Sequence, residues 1–267
     1  MPASEPARLR AALEAVVREA GALARTTSHR PFKRWTKGPD HSPVTEGDIA
    51  VNDLLRERLP HLAPSAGWLS EESEDLPSAR AGTTTWIVDP IDGTRAYIAG
   101  RPDWTISVAL VTGGLPVLAA LYAPVTEEMF LAVRGQGATL NDRKIMVSNG
   151  ADLDGARLAG PKRMLERLAG LRPTVLSQPK INSLALRLTR VAQGELEAAF
   201  ASRGSHDWDL AAAALLVHEA GGMMTDFTGQ PLSYNRPHIV HGALIAAGAA
   251  RHKTLLSLMR DHIAEFA

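Results

Sequence analysis

Apolar residues recur at Leu9, Leu13, Val16, Val17, Ala20 and Leu23, with Arg and Glu between them. That 3.6-residue period predicts an amphipathic helix with Ser4 as its N-cap. A polar stretch from Thr26 to Ser42 follows, carrying Arg30, Lys33, Arg34 and Lys37. It reads as a solvated basic connection, with a flap over an anionic ligand as the alternative. Thr45 caps a second predicted helix, buried along Val51, Leu54, Leu55 and Leu59 and ending before Pro60. Gly67-Trp68-Leu69 resembles a short strand. Trp86-Ile87-Val88 predicts a strand that stops at Asp89, because Pro90 has no N–H for a ladder. Thr105–Val111, Gly113-Gly114 and Val117–Tyr122 read as a hairpin. Met129–Val133, turning at Gly135-Gln136-Gly137 toward Leu140, extends it into an antiparallel meander.

From about Gly150 helices and strands alternate. Helices are predicted near Lys162–Leu168, Leu184–Val191 and Asp209–Ala220, the last stopped by Gly221-Gly222, with a final one through Leu255, Leu256, Met259 and Ile263. Strands are predicted at Thr174–Leu176, Leu196–Phe200, Met223–Asp226 and Ala243–Ala247. The expectation is an α+β half at 1–149 and a layered α/β half at 150–267, joined without a linker as one unit.

The 267 residues carry 29 Lys+Arg against 29 Asp+Glu and no cysteine. The cysteine count excludes a disulfide framework, a thiolate metal site and a thiol nucleophile. Charge balance argues against nucleic acid or an anionic membrane as partner. An anionic substrate must then be drawn by something local, such as a metal ion. The charged first thirty or so residues do not read as a secretory signal. The longest apolar run, Leu210–Val217, is far short of the roughly 20 residues that span a bilayer, so cytoplasm is the default location.

Carboxylates concentrate at element boundaries, in Thr45-Glu46-Gly47-Asp48, Ser70-Glu71-Glu72-Ser73, Asp89-Pro90-Ile91-Asp92-Gly93-Thr94 and Trp208-Asp209. Taken singly, Asp92-Gly93 is a turn, Glu71-Glu72 a solvated pair, Asp209 an N-cap and Asp48 a dipole partner. Taken together, Asp89 and Asp92 lie close enough to repel unless a cation or proton separates them. Hard oxygen ligands select Mg²⁺ or Mn²⁺. The Asp-x-x-Asp spacing is one residue longer than the nucleophile motif of haloacid-dehalogenase phosphatases, and no serine-hydrolase elbow or Walker A loop is present. His41, His206, His218, His238 and His241 lack zinc-binding spacing and read as surface or capping residues.

The six-residue Asp89–Thr94 motif, with Ser70-Glu71-Glu72 before it and Trp208-Asp209 through Ala220-Gly221-Gly222 after it, resembles the inositol monophosphatase-like superfamily from Ser42 to Asn235. The resemblance implies a layered αβαβα sandwich and a Mg²⁺-dependent phosphomonoesterase with two or three ions, Mn²⁺ being possible. It implies that Glu71, Asp89 and the Ile91 carbonyl hold a first metal, and Asp89, Asp92 and Asp209 a second. Glu72 and Thr94 would orient the attacking water, with Glu72 also reaching a third metal through water. Asp48 would polarise Thr94, and the Gly93 and Thr94 N–H groups would cradle phosphate. Two ions about 3.5–4 Å apart suit this chemistry, since they clamp the attacking and leaving oxygens of an in-line displacement.

Within the superfamily, Ser42-Pro43-Val44-Thr45-Glu46-Gly47-Asp48 and Leu69-Ser70-Glu71-Glu72 look most like bacterial 3'(2'),5'-bisphosphate nucleotidases, implying adenosine 3',5'-bisphosphate as substrate. Asn182-Ser183-Leu184 replaces the Gly-Thr/Ser-Ala run of true inositol monophosphatases, with Ser183 carried over as a substrate contact. Ser202 stands where those enzymes place a glutamate for inositol hydroxyls. Arg187 or Arg203 is then a candidate for a second phosphate, or simply a surface arginine. Inositol-1-phosphate or histidinol-phosphate phosphatase is the alternative, and a regulatory or binding protein on the same fold the alternative of another class. Monomer and homodimer are both compatible with the resemblance.

Overall fold

A computed structural model describes residues 5–38, 41–172 and 174–261. Ser4 and Ile263 therefore lie outside the described residues. Helix α1 (Glu5–Ser28) leads into β1 (Arg34–Lys37) and β2 (Ser42–Thr45), then α2 (Glu46–Leu62), β3 (Gly67–Ser70), β4 (Thr84–Asp92) and the short α3 (Thr94–Ile98). The meander follows as β5 (Thr105–Thr112), β6 (Leu115–Ala123), β7 (Glu128–Val133), β8 (Gly137–Leu140) and β9 (Arg143–Ile145). Next come β10 (Arg157–Ala159), α4 (Lys162–Leu171), β11 (Leu176–Ser177), α5 (Leu184–Ala192), β12 (Ala198–Ala201) and β13 (Ser205–His206). The chain closes with α6 (Asp207–Glu219), β14 (Gly222–Asp226), β15 (Val240–His241), β16 (Leu244–Gly248) and α7 (Ala249–Asp261).

Strands β3 to β9 form a seven-stranded sheet in sequence order, parallel only between β3 and β4. A five-stranded mixed sheet runs β11-β10-β12-β16-β14. Side chains alternate between the faces of both sheets, as strand geometry requires. Trp86, Val88, Ile106, Val108, Leu118 and Leu131 pack under α1 and α2. The intervening Ile87, Ala109, Ala119, Leu121 and Phe130 meet α5 and α6 instead. Ala199 and Ala246 of the second sheet join that same central layer, while Phe200 and Ile245 face α4 and α7. The result is five layers, helix–sheet–helix–sheet–helix. Burial on both faces explains why the strands read as unbroken apolar runs. It also explains α6, apolar all round because it lies between two sheets. Alanines at 211–213 let it approach both closely. Among the described residues no helix is long and apolar enough to cross a membrane.

Three expectations are corrected. The Lys33–Lys37 stretch is no plain connection: Arg34–Lys37 pairs antiparallel with Ser42–Thr45. Its strand is invisible to periodicity because its residues are largely exposed and polar. Helix α2 continues past Pro60, whose missing N–H frees only the carbonyl of the exposed Arg56. Finally, β4 does not end at Asp89. Asp89 pairs with Ser107 and Asp92 with Thr105, so three steps on β4 oppose two on β5. Pro90 and Ile91 sit in this bulge, where a proline costs no ladder bond, and the bulge re-aims the following residues.

Candidate active site

The acids arrive from four directions. Asp89 and Asp92 flank the β4 bulge, and Glu71 and Glu72 follow the end of β3, whose parallel pairing with β4 brings them level. Asp209 sits in the first turn of α6, with Oδ2 accepting the His206 N–H at 2.6 Å. Asp48 occupies the first turn of α2, where its Oδ2 accepts from the Thr45 N–H at 2.8 Å and the Thr45 hydroxyl at 2.5 Å. The capping roles and the site roles are thus compatible: one carboxylate oxygen holds a helix start and the other is left for the cleft.

Asp89, Asp92 and Asp209 each present an oxygen within 4.8 Å of the others. Glu71, Ile91, Gly93, Thr94 and Asn182 line the same cleft of about 190 Å³. Asp89 is 1% exposed, and its Oδ1 is buried with no hydrogen-bond partner. Burial, reinforced by Glu71, Asp92 and Asp209, pushes its pKa well above the usual carboxylate range. Asp209 is raised in the same way by burial and then Asp92. Burial lifts Asp92 to about 6 even though three donors oppose it. An orphaned buried oxygen among mutually repelling carboxylates is a cation site by its chemistry. The all-oxygen donor set fits a hard divalent ion.

Beside the cluster, Thr94 Oγ1 lies 3.2 Å from Asp48 Oδ1 and 3.1 Å from the Ile91 carbonyl. Burial raises Asp48 to about 6 and Glu72 to about 7. Gly93 has φ +94°, and a Cβ there would lie 3.1 Å from both the Asp103 carbonyl and Ser183 N. That backbone approach explains why the position is glycine.

Several residues behave differently from expectation. Ser183 is fully buried: its hydroxyl donates to Asp92 Oδ2 at 2.6 Å and accepts the Leu186 N–H. It faces Asp92 from behind instead of opening to a ligand. Asp92 also accepts the Leu184 and Ala185 N–H groups, which seats it on the N-terminus of α5. Arg187 and Arg203 lie outside the cleft, in an adjoining cavity of about 400 Å³ that also touches Asp209 and Ser202. Lys37 was named only as part of a basic stretch. Its ammonium donates to Glu72 Oε1 at 2.6 Å and to the Glu71 carbonyl at 2.9 Å, and lies 3.2 Å from Glu71 Oε1. The Asp103–Asn182 clamp was missed altogether: Asp103 Oδ2 accepts both the Asn182 N–H and its side-chain amide. No local pattern signals it, since the partners stand 79 positions apart. Among the histidines, His206 starts α6 and His241 Nε2 meets Asp207 Oδ1 at 2.7 Å. The group of acids that qualifies as a metal centre contains no histidine.

A layered αβαβα body with a carboxylate-lined cleft at a strand bulge defines a class, the metal-dependent phosphoric monoester hydrolases. The inositol monophosphatase family model matches residues 5–264. The chain is 35% identical over 209 residues to the inositol-1-monophosphatase of Rhizobium meliloti, covering 72% of this chain and 75% of the relative. It is 29% identical over 266 residues to the Nus factor SuhB of Pasteurella multocida, covering 96% and 97%. Among solved structures, the Thermotoga maritima IMPase superposes with a TM-score of 0.82 at 25% identity, over 95% of this chain and 97% of that one. The chain belongs to the inositol monophosphatase family.

Proposed function

We propose that the chain is a Mg²⁺-dependent phosphomonoesterase whose substrate is a 3'(2'),5'-bisphosphate nucleotide such as adenosine 3',5'-bisphosphate. The observation that carries the catalytic part is the convergence of Asp89, Asp92 and Asp209 around an unpartnered buried oxygen. In this reading Glu71, Asp89 and the Ile91 carbonyl hold one ion and Asp89, Asp92 and Asp209 another, with Glu72 placed to reach a third through water. When bound, the ions supply Lewis-acid stabilisation of charge on the phosphoryl oxygens and activate water for attack.

The chain's own residues orient the reaction. The Thr94 hydroxyl donates a hydrogen bond to Asp48 Oδ1, which leaves its lone pairs for a water in the cleft. Glu72, raised to about 7, accepts a proton near neutral pH. Asp48, raised to about 6, is ionised above that pH and as the acceptor holds the Thr94 hydroxyl in this orientation. Gly93 and Thr94 line the cleft, and in this reading their backbone N–H groups receive the phosphate oxygens.

The nucleotide specificity draws support from the cavity that adjoins the cleft at Asp209. Ser202 and Arg203 line the cavity there, so that rim is basic where an inositol-binding acid is expected. Inositol-1-phosphate hydrolysis is the second reading, favoured by the likeness to the Rhizobium meliloti inositol-1-monophosphatase. The Nus factor name of other relatives favours a regulatory reading. One panel separates the three: phosphate release from adenosine 3',5'-bisphosphate, inositol 1-phosphate and histidinol phosphate at fixed Mg²⁺. The nucleotide should have the highest kcat/KM, and excess chelator should abolish release. Preference for inositol 1-phosphate overturns the specificity, and binding with no phosphate release from any substrate overturns the phosphatase.

A further inference from the structure

Arg187 is a cation without a counter-ion. It projects from the first turn of α5, and its Nε is sealed from solvent with no acceptor. Among the described residues no hydrogen bond or ion pair reaches its guanidinium. The chain's other covered arginines are treated differently. Arg80 is paired with both oxygens of Asp75, Arg190 with both of Glu128, and Arg251 is held by the Asp152 and Asn149 carbonyls and the Ser148 hydroxyl. Burial pushes the Arg187 pKa below its usual value, with Asp92 opposing. Asp92 is no substitute partner, because its oxygens already accept from Ser183, Leu184 and Ala185.

Arg187 is half-buried, and an Nε shut away from water with no acceptor calls for a ligand that supplies the missing anion. The surroundings are shaped for one. Arg187 lies in the wall between two cavities of about 400 and 690 Å³. Both fall in the range of small-molecule sites, about 300–1,000 Å³. The smaller shares Asp209 with the catalytic cleft and adds Arg203 and Ser205; the larger shares Lys180 with it and adds Lys162 and Gln178. A guanidinium fork presents donors in the geometry that a phosphate accepts.

We infer that Arg187 anchors a second-phosphate subsite beside the catalytic cleft, so that the enzyme selects phosphomonoesters carrying another phosphate on the leaving group. The inference rests on the phosphatase reading and assigns the residue that sets its specificity.

The test compares adenosine 3',5'-bisphosphate with adenosine 3'-monophosphate, using the full chain with Mg²⁺, wild type against Arg187→Gln and Arg187→Lys. The wild type should prefer the bisphosphate. The ratio of kcat/KM for bisphosphate over monophosphate should fall roughly ten- to hundredfold in Arg187→Gln, as loss of a charge-assisted hydrogen bond predicts. Arg187→Lys should recover part of the ratio. The Tm of Arg187→Gln should not fall, because no native partner is lost. An unchanged ratio overturns the inference, as does a Tm several degrees lower, which marks a structural arginine. If the wild type releases phosphate from neither compound, the nucleotide reading fails separately. Calorimetric binding of adenosine 5'-monophosphate then decides the subsite: weaker in Arg187→Gln supports it, equal overturns it.

Discussion

Asp92 receives three hydrogen bonds on its far side yet keeps a pKa of about 6. Burial and the neighbouring acids outweigh those donors, so the carboxylate gains most from a cation on its open side. Asp92→Asn keeps the shape and removes that charge, while its amide nitrogen takes the place of one accepting oxygen. Phosphate release with Mg²⁺ should drop by roughly 10²–10³-fold or more, with near-wild-type circular dichroism. Glu72 poses a different case. Its side chain is 4% exposed, and among the described residues the Lys37 ammonium at 2.6 Å is its ion-pair partner. Glu72→Gln mimics the protonated form and cannot accept a proton. Turnover should fall by about 10²–10⁴-fold, the usual span for a general base. The metal-free Tm at pH 8 should hold or rise, since a buried charge has been removed while Lys37 retains Glu71. A variant of full activity at pH 7 excludes Glu72 from the proton transfer.

Helix α5 is the element that fixes the acids, through a serine that serves two ends. Ser183 caps α5 by accepting the Leu186 N–H and at once donates to Asp92. Ser183→Ala should cost about 1 kcal/mol as a lost cap. Activity should fall further than that destabilisation explains, because Asp92 loses its 2.6 Å donor. Thermal melting and kcat on one preparation check the two effects separately. This double use also marks where sequence reading stops. The strands of the meander were legible because unbroken apolar runs end at Gly113-Gly114 and Gly135-Gln136-Gly137. The acid motif was legible because Asp89 and Asp92 share one short segment with Gly93. The hidden parts are those set by docking. Ser183 looked open to a ligand until α5 was seen to seat its N-terminus on β4. Arg187 read equally as a second-phosphate contact or a surface arginine, and only the docking of α5 shows its Nε sealed beside two cavities. Lys37 needed the β1–β2 register, opposite Ser42, to be aimed at Glu71 and Glu72. Pro90 marked a boundary correctly, but the physical outcome was a bulge instead of a strand end.

At the scale of the molecule, the central layer joins site and stability. Helix α6 carries Asp209 and packs against both sheets, so charge in the cleft is felt in the layer between them. Glu72 titrates near 7, Asp48 and Asp92 near 6, all above their ordinary values. In the metal-free protein the folded state therefore binds more protons than the unfolded chain between those limits. Stability is fully present below the unfolded carboxylate range, near pH 4, and is lost as pH rises through about 6 to 7. The loss should appear as a fall in Tm as pH rises through that range. Divalent ions bind the deprotonated carboxylates, so they reverse the trend, adding about 2.7 kcal/mol at a hundredfold excess over Kd. Melting curves from pH 5 to 8 in chelator should slope downward, and the same series in Mg²⁺ should flatten or rise, the gap widening with pH. Parallel curves with a constant gap would mean that the ions bind away from the carboxylate cluster, and curves that coincide would mean that this cleft holds no metal.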